Sequence, residues 1–348
     1  MIKISILYTG GTFGSDETAA GKVISGKPDV VDLYARLNPG SAIEFDECSL
    51  DKPVSSENMT IKLWNVLIAA LKKLDFSAYD GIIITHGTDT LAYSAALLSI
   101  LLGHVRIPVI LVSSNEPLSS PAANGYKNFE DAVSFINTQH GGSGGVYVFY
   151  SYNLRDTEVY LARDIVQSQP FINRYTSYDG SRFGTMKNGR FCPYNADAAR
   201  RLMGRQWNDG PDILTLLPEL KNCILLITPY VGLDYSRFNL NDSSIKALLH
   251  TTYHSFSMCV DGGTSSAEYL LQTDTGRRNI PLYFSSFDDS VKLYESTRYM
   301  LKKGARFIVN SSVELAYARL VVGYSIDSGY GLSDEIQNAL GICLLTES

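Results

Sequence analysis

Ile4-Ser5-Ile6-Leu7-Tyr8-Thr9-Gly10-Gly11-Thr12 and Gly81-Ile82-Ile83-Ile84-Thr85-His86-Gly87-Thr88-Asp89-Thr90 decide the fold. Each is a short apolar run that ends in a polar, glycine-containing turn, the pattern of a buried strand leading into a loop. In an open α/β sheet, ligands bind outside the carboxyl ends of the strands. The two segments therefore set threonines, an aspartate and several backbone N–H groups where a small molecule is expected. Glycines in such turns allow unusual dihedrals and close backbone approach.

Working outward, strand-like runs at 3–8, 81–85, 107–112 and 145–150 alternate with helical patterns near 61–74, 90–102 and 122–138. Thr60 or Asn58 is a candidate cap for the first helix, and Thr90 follows a turn suited to start the second. Strand and helix in alternation imply an α/β fold with a parallel sheet covered on both faces. Residues 174–212, rich in Tyr, Asn, Gly, Arg and Asp and holding Pro193 and Pro211, read as a long connection with little regular structure. Beyond it, strands are expected at 223–228, 256–260, 281–285 and 306–309, and helices near 242–250, 265–272, 288–301 and 311–322. The expected division is an N-terminal domain over 1–190, a connecting segment over 191–215 and a smaller C-terminal α/β domain over 216–348.

Of 348 residues, 45% are hydrophobic and 19% charged, a globular composition with enough chain for two domains. The net charge of −6 argues against a nucleic-acid partner, which needs a basic stripe. The longest apolar run, Ala95 to Leu102, is too short to span a bilayer, so no membrane partner is expected. The chain opens at once on strand-like residues with no basic and apolar leader, and a cytoplasmic location is the expectation. The five cysteines are far apart, odd in number and without a Cys-x-x-Cys pair, so they are expected to be buried free thiols in a reducing compartment. His250 and His254 are spaced one helical turn apart but lack a nearby acidic partner, so no metal is expected. Gly10-Gly11-x-x-Gly14 lacks the spacing of a dinucleotide turn, and no cofactor is expected.

A threonine hydroxyl is a weak nucleophile that needs a base or a polarising neighbour before it attacks a carbonyl. Threonines on neighbouring strand ends can share one substrate, one attacking and one relaying a proton. Asp89 suits the ammonium of an amino acid, and the N–H groups of Gly11 and Gly87 suit an oxyanion. A third segment, Ser55-Ser56-Glu57-Asn58-Met59-Thr60, offers a hydroxyl to a carboxylate at Ser56 and a charge to an ammonium at Glu57. Taken alone, it also reads as a helix start with an acid in its first turn.

Together these motifs resemble the bacterial-type L-asparaginases, a family that includes glutaminase-asparaginases and an archaeal tRNA-dependent amidotransferase subunit. Weaker echoes follow in the same order: Pro108 to Val112, Asn115-Glu116-Pro117-Leu118 before Asn124-Gly125, and Tyr253-His254-Ser255 before Asn279 to Tyr283. The resemblance implies a larger N-terminal domain with a flavodoxin-like sheet and a smaller C-terminal α/β domain. It implies that Thr12 is the nucleophile on a lid loop and that Thr88 helps to activate the attack. Asp89 and Glu57 would hold the substrate ammonium and Ser56 its carboxylate, and Ser114 would take the position of a backbone contact to the amide. It further implies a homodimer or homotetramer acting on an amino-acid amide. Amidotransferase subunits carry an extra domain before this core and need a partner, so that narrower reading is not the expectation.

The chain departs from the family pattern in three places. A tyrosine is expected shortly after the first motif, but residues 15–24 contain none, and Lys22 is nearest by position. A lysine is expected after the fifth strand, and its position falls on Leu161 or Arg163. Arg163 would keep the charge but not relay a proton, because its pKa stays above about 12. The family's Ser-Asp-Gly reads Ala123-Asn124-Gly125 here. The expected activity is hydrolysis of the side-chain amide of L-asparagine or a related amide. The alternatives are a weakened, ligand-binding relative or an amidase for another substrate. The 22 tyrosines, many of them within 147–178, fit either half-buried strand positions or an aromatic mouth to the site.

Overall fold

The computed structural model describes all residues except 19–20, 25–26, 140–143, 197–211, 273–278, 291, 328–330 and 346–348. The chain forms two compact units, Met1–Leu216 and Leu217–Ser348.

The first unit runs β1 (Ile2–Gly10), β2 (Ser15–Thr18), β3 (Gly21–Ile24), α1 (Val30–Leu37), β4 (Ile43–Val54), α2 (Ile61–Leu71), β5 (Gly81–Thr85), α3 (Leu91–Leu101), β6 (Pro108–Val112), α4 (Gly125–Gln139) and β7 (Gly145–Tyr150). It continues through β8 (Thr157–Leu161), β9 (Ile165–Val166), β10 (Thr176–Ser177), β11 (Gly184–Lys187), β12 (Arg190–Pro193) and α5 (Ile213–Leu216). One eight-stranded sheet has the order β12-β11-β8-β7-β6-β5-β1-β4. Strands β4, β1, β5, β6 and β7 are parallel, and β8, β11 and β12 add an antiparallel flank. In chain order the parallel strands lie 2-1-3-4-5, the flavodoxin-like arrangement, whose switch point falls between β1 and β5. The two threonine motifs follow those two strands.

Burial explains why these runs are strands. Every residue of β5 and β6 is buried, as expected of parallel strands covered on both faces. Ile4, Ile6, Ile83, Ile110, Phe129 and Phe149 share one core cluster. Each such aliphatic or aromatic side chain contributes roughly 1.5–3 kcal/mol by leaving water. Helix α3 buries Leu91, Ala92, Ala95, Ala96, Leu97, Leu98 and Leu101, which fixes the start of the helix just after the second motif. Thr60 caps α2 by accepting the Leu63 N–H at 3.4 Å.

Besides α1 and the twelve-residue edge strand β4, the short strands β2, β3, β8 and β9 of this unit also lie outside the expected elements. The stretch read as an unstructured connection also differs. Its described part forms β10 and the hairpin β11–β12, in which Gly184 pairs with Pro193 and Lys187 with Arg190. Residues 197–211 of that stretch lie outside the described residues.

The second unit is a four-stranded parallel sheet of β13 (Ile224–Ile227), β14 (Ala247–Thr251), β15 (Leu282–Phe287) and β16 (Arg306–Val309), in that order. Helices α6 (Glu295–Lys302), α7 (Val313–Ile326) and α8 (Asp334–Ala339) complete it. The helix expected at 242–250 is corrected to β14. Ala247, Leu248, Leu249 and His250 are buried in the sheet, and a short apolar run of this kind does not reveal by periodicity whether it is helix or strand. Residues 256–260, expected as a strand, pair with none of the described strands. The cysteine expectation also needs correction. All five are free, but Cys192, Cys259 and Cys343 are exposed, and only Cys223 is buried.

Candidate active site

The turn after β1 is built from backbone. Gly10 has φ +116° and Gly11 φ +75°, a region that favours glycine. A Cβ on Gly11 would lie 2.4 Å from the Gly87 nitrogen, so the two motif turns meet backbone to backbone. Just below, the Thr9 hydroxyl donates to the Thr85 carbonyl at 2.5 Å, and the Thr9 N–H donates to the Thr85 hydroxyl at 3.2 Å. These threonines tie β1 to β5 where the strand ladder ends. The Gly11 N–H donates to the Val54 carbonyl at 2.9 Å. The expectation that this N–H serves an oxyanion is therefore set aside, because the donor is committed to β4. Thr12 is half-buried and opens a short 3₁₀ turn, Thr12–Gly14, that leads into the β2–β3 hairpin. The side chains of residues 16–26, Lys22 among them, lie outside the described residues.

The turn after β5 is held by side chains. The Asp89 N–H donates to the Ser56 hydroxyl at 3.1 Å, and that hydroxyl lies 3.3 Å from the Asp89 carboxylate. The Thr90 hydroxyl donates to the Ser56 carbonyl at 2.8 Å. Ser56 is buried, and a Cβ on Gly87 would meet its hydroxyl at 2.4 Å. Ser56 thus joins the second motif to the third segment. Glu57, beside it, is exposed. His86 is buried, and loss of hydration pushes its pKa down. Its Nδ1 lies 2.8 Å from the Gly87 carbonyl, so the neutral ring donates there.

Thr88 and Asp89 line a cleft of about 860 Å³ together with Asn115, Glu116, Tyr150, Gln167, Asn173 and Tyr175. The charged side chains among the described residues of its wall are the carboxylates Asp89 and Glu116. Ser114 is buried beneath this wall. Its hydroxyl donates to the Glu116 carbonyl at 2.5 Å and accepts the Gly125 N–H at 3.1 Å, which caps α4. Asn124 exchanges two hydrogen bonds of 2.9 Å with Asn115, so the altered Ala123-Asn124-Gly125 segment still braces the cleft.

Sequence position alone sets the replacement for the family's lysine at Leu161 or Arg163, and the structure puts both elsewhere. They line a separate cavity of about 520 Å³ with Ser177, Asp179 and Tyr194. Arg163 is 54% exposed and pairs with Asp164 at 3.3 Å. Gln167, the first residue after β9, shares the cleft with Thr88 and Asp89 instead. No periodicity in the sequence marks Gln167, whereas the run of tyrosines in 147–178 does hint at Tyr150 and Tyr175. Tyr147 and Tyr160 from the same run are core residues.

A family model for the N-terminal part of asparaginases matches residues 3–189. The chain belongs to the asparaginase family. An L-asparaginase of Thermococcus kodakarensis is 34% identical over 152 residues, which are 43% of this chain and 44% of that protein. A glutamyl-tRNA(Gln) amidotransferase subunit of Thermoplasma acidophilum is 26% identical over 194 residues, 51% of this chain and 45% of that protein. The chain thus spans under half the length of either relative. Among solved structures, the thermostable L-asparaginase from Thermococcus kodakarensis superposes with a TM-score of 0.77 at 21% identity, covering 97% of both chains, which establishes the shared fold. Among the described residues, no helix is long and apolar enough to cross a membrane.

Proposed function

We propose that this chain is an amidohydrolase that cleaves the side-chain amide of L-asparagine, or of a related amino-acid amide, to the acid and ammonia. One observation carries the reading: the two threonine turns meet at the switch point of the sheet, with Asp89 of the second turn anchored by Ser56. In this reading the Thr12 oxygen attacks the amide carbon, the C–N bond breaks, and the hydroxyl proton leaves with ammonia. Water then cleaves the acyl ester and restores the threonine. Thr88 relays the proton, and Asp89 receives the substrate ammonium in a cleft whose described charges are both negative. With no cation among the described residues that line the cleft, acid–base assistance rests on hydroxyls. Such assistance is typically worth about 10²–10⁴ in rate, so slow turnover is expected. The protein is proposed to assemble as a homodimer or homotetramer, which light scattering tests.

The test is ammonia release from L-asparagine, L-glutamine and D-asparagine, run beside Thr12→Ala, with calorimetry on the same ligands. Release that vanishes in the variant is the expected result. Binding without release would instead establish a ligand-binding relative, and neither binding nor release would exclude these substrates.

A further inference from the structure

The second motif is fastened from a direction that the motifs do not show. The Tyr175 hydroxyl donates to the Thr88 carbonyl at 2.8 Å, across 87 residues of sequence. Tyr175 is 2% exposed, yet it also lines the cleft with Thr88 and Asp89. Burial, with Tyr150 and Asp89 nearby, raises its pKa well above 10, so the phenol stays protonated. It is a fixed donor and not a base.

Tyr175 is itself held on several sides. Its ring meets Tyr150 edge-on, with centroids 5.0 Å apart. The Tyr160 hydroxyl lies 2.7 Å from the Tyr175 carbonyl and also contacts Glu158, and its single proton serves one of the two. Glu158 is buried and pairs with Arg174 at 2.8 Å and with Arg182. Arg174 immediately precedes Tyr175, and Thr176–Ser177 immediately follow it in β10, paired with β9. The arginines are 38% and 32% exposed, but losing them would strand the charge of Glu158 away from water, which holds the cluster's geometry. The Glu158 cluster therefore fixes the backbone from which the Tyr175 hydroxyl reaches Thr88.

We propose that Tyr175 is a positioning residue for the amidase reaction, setting Thr88 through its main-chain carbonyl. The inference rests on the amidohydrolase reading given above. Asp89 keeps its own anchor at Ser56, so loss of the Tyr175 hydroxyl shifts Thr88 more than Asp89. Misplacing a reacting group by about 1 Å can cost on the order of 10²-fold in rate.

The test is steady-state ammonia release by the full chain carrying Tyr175→Phe, using whichever amide the unaltered protein turns over fastest. Phenylalanine keeps the ring and its packing on Tyr150. The expected result is a kcat lower by about 10- to 100-fold with KM changed by less than about threefold. Tyr160→Phe, one link further out, is expected to lower kcat less. Unaltered kcat and KM in Tyr175→Phe would overturn the inference and leave the amidase reading standing. So would a lower melting temperature with normal kcat per folded molecule, which is the mark of a merely structural role. If the unaltered protein releases no ammonia from any amide tested, the amidase reading fails, and this inference with it.

Discussion

The two threonine turns lie against each other but are held by different physics. The turn after β1 owes its shape to glycine backbone, with Gly10 and Gly11 at positive φ and the Gly11 N–H on Val54. The turn after β5 owes its shape to side chains brought from afar, namely Ser56 and Tyr175. A backbone-built turn tolerates no added atom, whereas a side-chain-built turn loses its anchors one at a time. The first turn is therefore expected to fail abruptly and the second by degrees.

The largest effect is expected from Gly11→Ala. Its methyl would lie 2.4 Å from the Gly87 nitrogen at a φ of +75°, where only movement of main chain gives relief. The strained dihedral alone costs about 1–3 kcal/mol, before the overlap is counted. Urea unfolding should show at least that loss, and ammonia release should disappear. Wild-type stability would mean that the two turns do not touch.

Acid should weaken the fold next, through two buried histidines, one in each unit. His86 belongs to the second turn, and His250 lies in β14 of the other unit, where its Nε2 is 2.7 Å from the Tyr235 hydroxyl. Burial lowers the pKa of His250 from 6.5 to about 4 and that of His86 in the same direction. Above pH 6.5 both folded and unfolded chains hold a neutral imidazole, and the stability is complete. As the pH falls towards 4, the unfolded chain takes up a proton that the folded chain refuses, so stability drops. For His250 the loss amounts to about 3 kcal/mol at pH 4. Urea unfolding at pH 7 and pH 4.5, with His250→Asn alongside, isolates this part, and equal slopes in both proteins would refute it.

Ser56→Ala removes one anchor of the second turn and leaves the Asp89 N–H without its partner. Asp89 is exposed and water can replace that partner, so a stability loss of about 0.5–1.5 kcal/mol is expected, together with a higher KM for amino-acid amides. An unchanged KM would separate Ser56 from substrate binding. The smallest effects sharpen the placement of the missing cation. Gln167→Lys puts an ammonium into the cleft with Asp89 and should raise kcat by about tenfold where proton transfer limits the rate. Arg163→Ala removes an exposed ion pair and should change kcat by less than about twofold. The reverse pattern would restore Arg163 to the site.

The parts of this fold that are legible in the sequence are those in which one signal dominates. Strands β5 and β6 are unbroken apolar runs buried on both faces, and the glycine-bearing turns mark where they end. Strand β4 escapes notice because it lies at the sheet edge and carries Glu44, Asp46 and Glu47 in a mostly unburied stretch with no apolar block. Strand β14 reads as helix because five residues do not fix a period. In the site, Thr12, Thr88, Asp89 and Ser56 are visible as motifs. Of the rest of the cleft wall, Tyr150 and Tyr175 are only hinted at by the run of tyrosines and Gln167 not at all, because Gln167 and Tyr175 flank a pairing of only two residues per strand between β9 and β10. Such a pairing leaves no pattern in the chain, and without a spatial guide only its charge commends Arg163.

Acid-quench mass spectrometry of the protein turning over L-asparagine, followed by peptide mapping, tests the assignment of Thr12 most directly. The expected result is an acyl ester on the peptide that carries Thr12, absent from Thr12→Ala. An adduct on the peptides of Thr88 or Ser56, or turnover that persists in Thr12→Ala, would contradict it.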